Sequence, residues 1–234
     1  MKAPLTATLL FSLITPLLPA AEVYFDTVNT AKASRLHGAY FGAFAGGANV
    51  TGTTTSQRVS SLGVEGKGAG WIGGVEFGYK WVTPVGLNFA AELEFYYLNQ
   101  DISGNNGRSS YRSSLSAFGA MANGIVQLDL ESILGEDAGW IGRIKPYLGA
   151  GVGAGYGYQN DIAYKPAGGR ERSNLSDGGE AGFAYQLLAG VEVEVAENFS
   201  VYGEYRYLDL YDFGNGDING ADISTWIVGL RFQY

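Results

Sequence analysis

Ten charged residues of this chain fall at two-residue multiples within short apolar stretches: Glu76 and Lys80, Glu92 and Glu94, Asp129, Glu192 and Glu194, Glu204 and Arg206, and Arg231. Even spacing on an extended chain puts side chains on one face. Acids and bases gathered on one face can form an ion-pair network, line a cation path, or supply the paired carboxylates of a hydrolase. Seven of the ten are acidic and three basic, with Lys145 as a fourth cation beside them. Buried charge must be paired, so the expectation is that Lys80, Arg206 and Arg231 are shared among the seven carboxylates. A thin, cation-preferring water path is the sharper alternative.

The other motifs of catalysis are missing from the sequence. His37 is the sole histidine, there is no cysteine, HExxH is absent, and the alternating glycines Gly149 to Gly157 do not give GxGxxG spacing. Serine or thiol hydrolysis and zinc chemistry therefore lack their parts, and that glycine run indicates no nucleotide loop. A paired-carboxylate hydrolase would need a bore wide enough for a glycan. The reading is of a protein that is not an enzyme and uses no cofactor or metal. A net charge of −8 disfavours nucleic acid as a partner.

The charges must be positioned by eight segments with a period of two: 40–49, 71–81, 87–98, 118–130, 147–158, 183–195, 199–208 and the closing 226–234. In 71–81, Trp71, Val75, Phe77, Tyr79 and Trp81 share one parity, while Glu76 and Lys80 share the other. In 87–98, Leu87, Phe89, Leu93, Phe95 and Tyr97 oppose Asn88, Glu92 and Glu94. Segment 40–49 is least distinct: Phe41 lies on one parity, Tyr40 and Phe44 on the other. In every window the charges share the parity opposite the apolar one. An arginine or lysine facing mid-bilayer lipid costs about 2–4 kcal/mol, so a lipid-facing wall demands this segregation. A soluble sheet would also alternate, but aromatics crowd the segment ends: Trp71, Trp81, Tyr97, Phe118, Tyr156, Phe183, Phe199, Trp226 and Tyr234. Two such belts mark two membrane interfaces.

These features predict an all-β fold, an eight-stranded antiparallel transmembrane up-and-down β-barrel. Long polar connections, 50–67, 99–114, 159–180 and 209–224, alternate with the shorter 82–85 and 196–198. Long loops belong outside and short turns in the periplasm. Connection 131–145 is longer than that rule expects and has room for a helical turn. Residues 1–21 read as a signal peptide, with Lys2, an apolar core and cleavage after Ala20 or Ala21. Residues 22–39 would be a periplasmic lead and 40–234 the barrel.

The pieces YFGAFAGGAN, GGVEFGYKW, LNFAAELEFYY, MANGIVQLDL, KPYLGAGVGAGYGY, YQLLAGVEVEV, YGEYRYLDL and VGLRFQY, in that order, resemble the small outer-membrane β-barrel family. That family includes the transmembrane domain of outer membrane protein A, the opacity adhesins and the α-proteobacterial surface antigens. The resemblance spans about 40–234. It implies localisation in a Gram-negative outer membrane with periplasmic termini, and a wall in contact with lipid and lipopolysaccharide. It also implies a closing strand read by the outer-membrane assembly machinery through Phe232 and Tyr234, the last of these standing where the family usually has Phe. With no peptidoglycan-binding domain after the barrel, the barrel-only type is expected. The family shares no one activity. A structural surface role is the main expectation. Adhesion to host surface molecules through Arg108, Tyr111, Arg112, Lys165, Arg170 and Arg172 is the alternative, and a narrow pore a further one. Alternate glycines Gly149 to Gly157 leave one wall bare, either to relieve crowding by tyrosines or to make room for water. Asn215, Asp217, Asn219 and Gly220 resemble the start of a calcium loop, but Trp226 stands where its closing glutamate belongs.

Overall fold

A computed structural model describes residues 37–53, 67–105, 110–135, 139–165, 172–173, 178–211 and 221–234. The expected signal peptide, most of the 22–39 lead, Arg108, Arg170 and the calcium-like 215–220 lie outside these residues.

The strands are β1 (Gly38–Thr53), β2 (Lys67–Trp81), β3 (Leu87–Asn105), β4 (Ser110–Leu128), β5 (Ile144–Lys165), β6 (Arg172–Ser173), β7 (Gly178–Ala196), β8 (Phe199–Tyr211) and β9 (Ala221–Gln233). Every pairing is antiparallel. The order β4-β3-β2-β1-β9-β8-β7-β5 closes through β4–β5, and the two-residue β6 adds to β5 alone. This is an eight-stranded closed barrel. Closure satisfies the backbone without edges, as hydrocarbon requires. The register is staggered. Hydrogen-bonded neighbours followed once round from Leu98, through Ile72, Gly46, Ile227, Glu204, Gly190, Tyr147 and Gln127, return to Asn88, ten residues down the same strand. Such a shear tilts the strands across the wall.

The charge parity faces inward. Glu76, Lys80, Glu92, Glu94, Arg206 and Arg231 are buried, and Phe77, Leu93, Phe95, Val152, Leu187 and Leu230 are exposed on the outside. Segment 40–49, ambiguous in sequence, places Tyr40 and Phe44 in the lumen and Phe41 outside.

The strands outrun the expected segments. Most of 99–114 and parts of 50–67, 159–180 and 209–224 are strand rather than loop. The cause is a reversal of polarity along each strand. On β3 the outward series runs Leu87, Phe89, Leu93, Phe95 and Tyr97, then Asn99, Asp101 and Ser103. On β9, read upward, Tyr234, Phe232, Leu230, Val228 and Trp226 give way to Ser224 and Asp222. Inside, Glu92 and Glu94 give way to Leu98, and Glu204 and Arg206 to Leu208 and Leu210. The barrel has a charged lumen where lipid surrounds it and a mainly apolar one where water does, with Gln100 and Thr225 buried among the apolar residues. Apolar-out patterning therefore ends at the girdle while the hydrogen-bonded ladder continues.

The strand starting the barrel begins at Gly38, two residues before the expected boundary. The fourth strand ends at Leu128, not Leu130. Asp129 breaks it by capping a short helix, α1 (Leu130–Leu134), its side chain accepting from Glu131 N and Ser132 N. A single 3-10 turn follows at Ile141–Arg143. The connection 131–145 thus does hold helical turns. Gly38 and Tyr234 share the short-turn end, where Tyr234 N donates to Ala39 O at 2.9 Å.

The charged lumen as candidate functional site

Arg231 on β9 is the hub. Its guanidinium reaches Glu76 on β2 at 2.6 Å, Glu92 on β3 at 2.9 Å and Glu192 on β7 at 3.2 Å. Three tyrosine rings surround it, with the charge 4.2 Å from the centroid of Tyr202, 5.2 Å from Tyr40 and 5.6 Å from Tyr147. Each of these tyrosines donates its hydroxyl to a network carboxylate: Tyr202 to Glu76 at 2.8 Å, Tyr40 to Glu92 at 2.8 Å, and Tyr147 to Glu204 at 2.9 Å. The rings supply cation–π attraction; Tyr202 and Tyr147 satisfy carboxylate oxygens the arginine does not reach, and Tyr40 shares Glu92 Oε2 with it.

Below and above the hub lie further pairs. Lys80 Nζ binds Glu192 at 3.0 Å, and Glu192 also accepts from Gln127 at 2.8 Å and Ser200 at 2.9 Å. Arg206 pairs with Glu94 and, at 2.8 Å, with Glu204. Asn123 donates to Glu92 at 2.9 Å and to Glu94 at 3.2 Å, and Gln186 donates to Asn123 Oδ1 at 2.7 Å. At the periplasmic mouth Lys145 pairs with Glu194 and lies 3.6 Å from Asp129. All ten sequence-derived residues therefore sit in or at the rim of one lumen, each in an ion pair, with Lys145 as the fourth cation. The neutral partners were legible only as inward-parity residues. Nothing in the pattern specifies which of them touches which carboxylate.

Space for the rings comes from glycines on neighbouring strands. Tyr40 lies over Gly78, Tyr147 over Gly190, Tyr202 over Gly229 and Tyr96 over Gly119; a Cβ at each would strike the ring, at 2.6 Å from Tyr96 Cζ in the last case. The glycine run of β5 does something else. Gly149 abuts Leu188 and Ile125, Gly151 abuts Asn123, and Gly153 abuts Met121. Aliphatic and amide side chains take up most of that wall, and the Tyr96 hydroxyl reaches Gly155, where a Cβ would meet it at 3.3 Å.

Above Arg206, whose charge lies 5.0 Å from the Phe44 ring, the lumen turns apolar. Ile72, Leu98, Met121, Leu208, Leu210 and Ile223 are all fully buried there. Among the described residues, no group of three or more His, Asp or Glu is arranged to hold a metal ion.

The described members of the expected loop contacts lie on neighbouring strands. Arg112 and Lys165 are exposed on the strand extensions of β4 and β5. Tyr111 pairs with Tyr164, and Arg172 with Tyr164 through β6. At the closing strand, the Phe232 and Tyr234 rings lie 5.4 Å apart and Phe41 packs 5.7 Å from Phe232. One exterior cluster escaped the segment windows. Asp209 on β8 stands directly opposite Asp222 on β9. Each carboxylate accepts a tyrosine hydroxyl, Tyr185 to Asp209 at 2.6 Å and Tyr207 to Asp222 at 2.7 Å. These bonds offset the repulsion of like charges across a strand pair.

A family model described as outer membrane protein beta-barrel domain matches residues 25–233. No curated protein sequence matches. Among solved structures, Neisserial surface protein A is 21% identical with a TM-score of 0.51, covering 84% of this chain and 97% of that one. Ail, the attachment invasion locus protein of Yersinia pestis, is 13% identical with a TM-score of 0.41, covering 84% of this chain and 100% of that one. The N-terminal β-barrel domain of Pseudomonas aeruginosa OprF is 13% identical with a TM-score of 0.34, covering 84% and 99% respectively. At these identities the first likeness speaks to fold alone.

Proposed function

The chain belongs to the outer membrane protein beta-barrel domain family, and from that premise we propose that it is a non-catalytic surface protein that makes host and envelope contacts through the extracellular end of its barrel. It is an outer-membrane protein, with the short-turn end and both strand termini Gly38 and Tyr234 in the periplasm. The observation that carries the surface role is the reversal of polarity. Strands β3, β4, β8 and β9 continue past the aromatic girdle with Asn99, Asp101, Arg112, Asp209 and Asp222 turned outward and Leu98, Leu208 and Ile223 packed within. That is a stiff, water-facing platform, and binding residues sit best on rigid scaffolds.

Arg112 and Lys165, exposed on adjacent strands, are the described cations of this platform, and Arg108, Tyr111, Arg170 and Arg172 belong to the same side of the sequence map. Mixed arginine and tyrosine suit protein contacts. The lumen network serves as a plug that ties the strands together. Lipid and lipopolysaccharide contact the wall, and the assembly machinery reads the closing strand at Phe232 and Tyr234.

The experiment is binding of host cells and matrix by bacteria displaying the intact protein, the Arg112→Glu/Lys165→Glu variant, or versions with shortened extracellular connections, each verified as folded by heat-modifiability. Loss of binding supports contact through this end. Equal binding throughout would leave a purely structural envelope role.

A further inference from the structure

The periplasmic aromatic girdle is incomplete on the barrel wall. Tyr79 and Trp81 on β2, Phe89 on β3, Phe41 on β1, Phe232 on β9 and Phe199 on β8 supply it over five strands. On β4, β5 and β7 the outward residues at that end are Val126, Leu128, Leu148, Val191, Val193 and Val195, all exposed and none aromatic. The unexpectedly long connection between β4 and β5 lies at this arc. Its 3-10 turn sits against β7, and it carries the one aromatic of the sector, Trp140, which is 73% exposed.

The connection is amphipathic and anchored. Leu130, Ile133 and Leu134 fall at i, i+3 and i+4 of α1, opposite Glu131 and Ser132. Asp129 N donates to Gly86 O at 2.8 Å, and Ile133 lies so near Gly86 that a Cβ there would meet it at 2.7 Å. Gly86 itself has φ +76°, which favours glycine. The β2–β3 turn thus fixes α1 in place. Yet Val85, Ile133, Leu134, Trp140 and Ile141 remain exposed, and Arg143 beside them is an exposed cation. An exposed apolar set of this kind marks an interaction surface. It is continuous with Leu128 and Leu148 of the lipid-facing wall.

We propose that α1 and the turn from Trp140 to Arg143 lie in the periplasmic leaflet of the outer membrane and complete the girdle there, with Trp140, Ile133, Leu134 and Ile141 at the headgroup–acyl boundary and Arg143 beside phospholipid phosphate. Tryptophan prefers that depth, and amphipathic helical turns bury an apolar face in it. Phospholipid is the occupant because the patch extends a surface already covered by lipid and fills the arc where that surface lacks aromatics. This contact is independent of what the extracellular end binds.

The chain has no cysteine, so Trp140→Cys can carry one polarity-sensitive fluorophore in phospholipid vesicles. The expected result is blue-shifted emission close to that of a label at Leu148→Cys, strong quenching by headgroup-region nitroxide lipids and loss of most quenching by aqueous iodide. A label at Asn99→Cys supplies the water-exposed reference. Emission and iodide quenching like that reference would overturn the proposal. So would protection appearing only at high protein-to-lipid ratio, which would assign the patch to a second copy. Where the labelled variant does not fold, the fluorescence difference between the native chain and Trp140→Phe, with the same quenchers, reads the same depth.

Discussion

Gly229 and Tyr202 share one space in the lumen: the tyrosine ring of β8 lies where a side chain of β9 would begin. The ring is held there at its other end by its hydrogen bond to Glu76 and by the Arg231 charge over its face. The glycine is thus part of the ion-pair network although it carries no charge.

Gly229→Ala should therefore displace Tyr202 and loosen Arg231, destabilising the barrel by about 1–3 kcal/mol, the range for overpacking a filled interior. Gly203→Ala, where a Cβ meets nothing within 4 Å, is the matched control and should change little. Urea unfolding in vesicles, followed by tryptophan fluorescence, compares the two. Equal midpoints would mean that the ring finds another seat.

Removing the hub should cost more. Arg231→Met leaves Glu76, Glu92 and Glu192 short of their shared cation, and breaking a buried pair from one side costs about 3–5 kcal/mol. Adding Glu76→Gln to Arg231→Met should recover part of the loss, since one stranded charge is removed. A double-mutant cycle on the same unfolding transition reads this; strictly additive losses would show that the two side chains do not interact.

The reversal of polarity predicts opposite outcomes for one substitution at two outward positions of β3. Leu93→Arg, in the lipid band, should impair insertion by about 2–4 kcal/mol. Asn99→Arg, two residues above Tyr97 on the same face, should be tolerated. Heat-modifiability gels and folding yield into vesicles separate them, and equal impairment would place Asn99 within the bilayer.

The apolar layer above Arg206 should keep the lumen from conducting, because a hydrophobic constriction excludes water and ions. Folded protein in planar bilayers should be silent. Leu208→Ser combined with Leu98→Ser should introduce conductance if that layer is the barrier. Steady conductance of the native chain, altered by Glu94→Gln, would instead establish the cation path.

Much of this molecule is legible in one dimension because a strand in lipid has a period of two and a charge facing hydrocarbon is costly. Those two facts identify the eight strands, their inward face and the ten charged residues, from Glu76 to Arg231, that meet inside. They do not reach past the girdle, where the outer medium becomes water and apolar residues such as Leu208 and Ile223 turn inward. There the pattern reads as loop, and the opposed Asp209 and Asp222 fall outside the eight segments. Partnership within the lumen is likewise a property of the closed register. Arg231 meets Glu76, Glu92 and Glu192 from three separate strands because a ten-residue stagger brings them to one level. No spacing along the chain encodes that level. The face taken by Tyr40 and Phe44 was settled the same way. Both parities of β1 carry aromatics and glycines, so its orientation was decided by Gly78 and Gly74 on the neighbouring strand, which leave the two rings room.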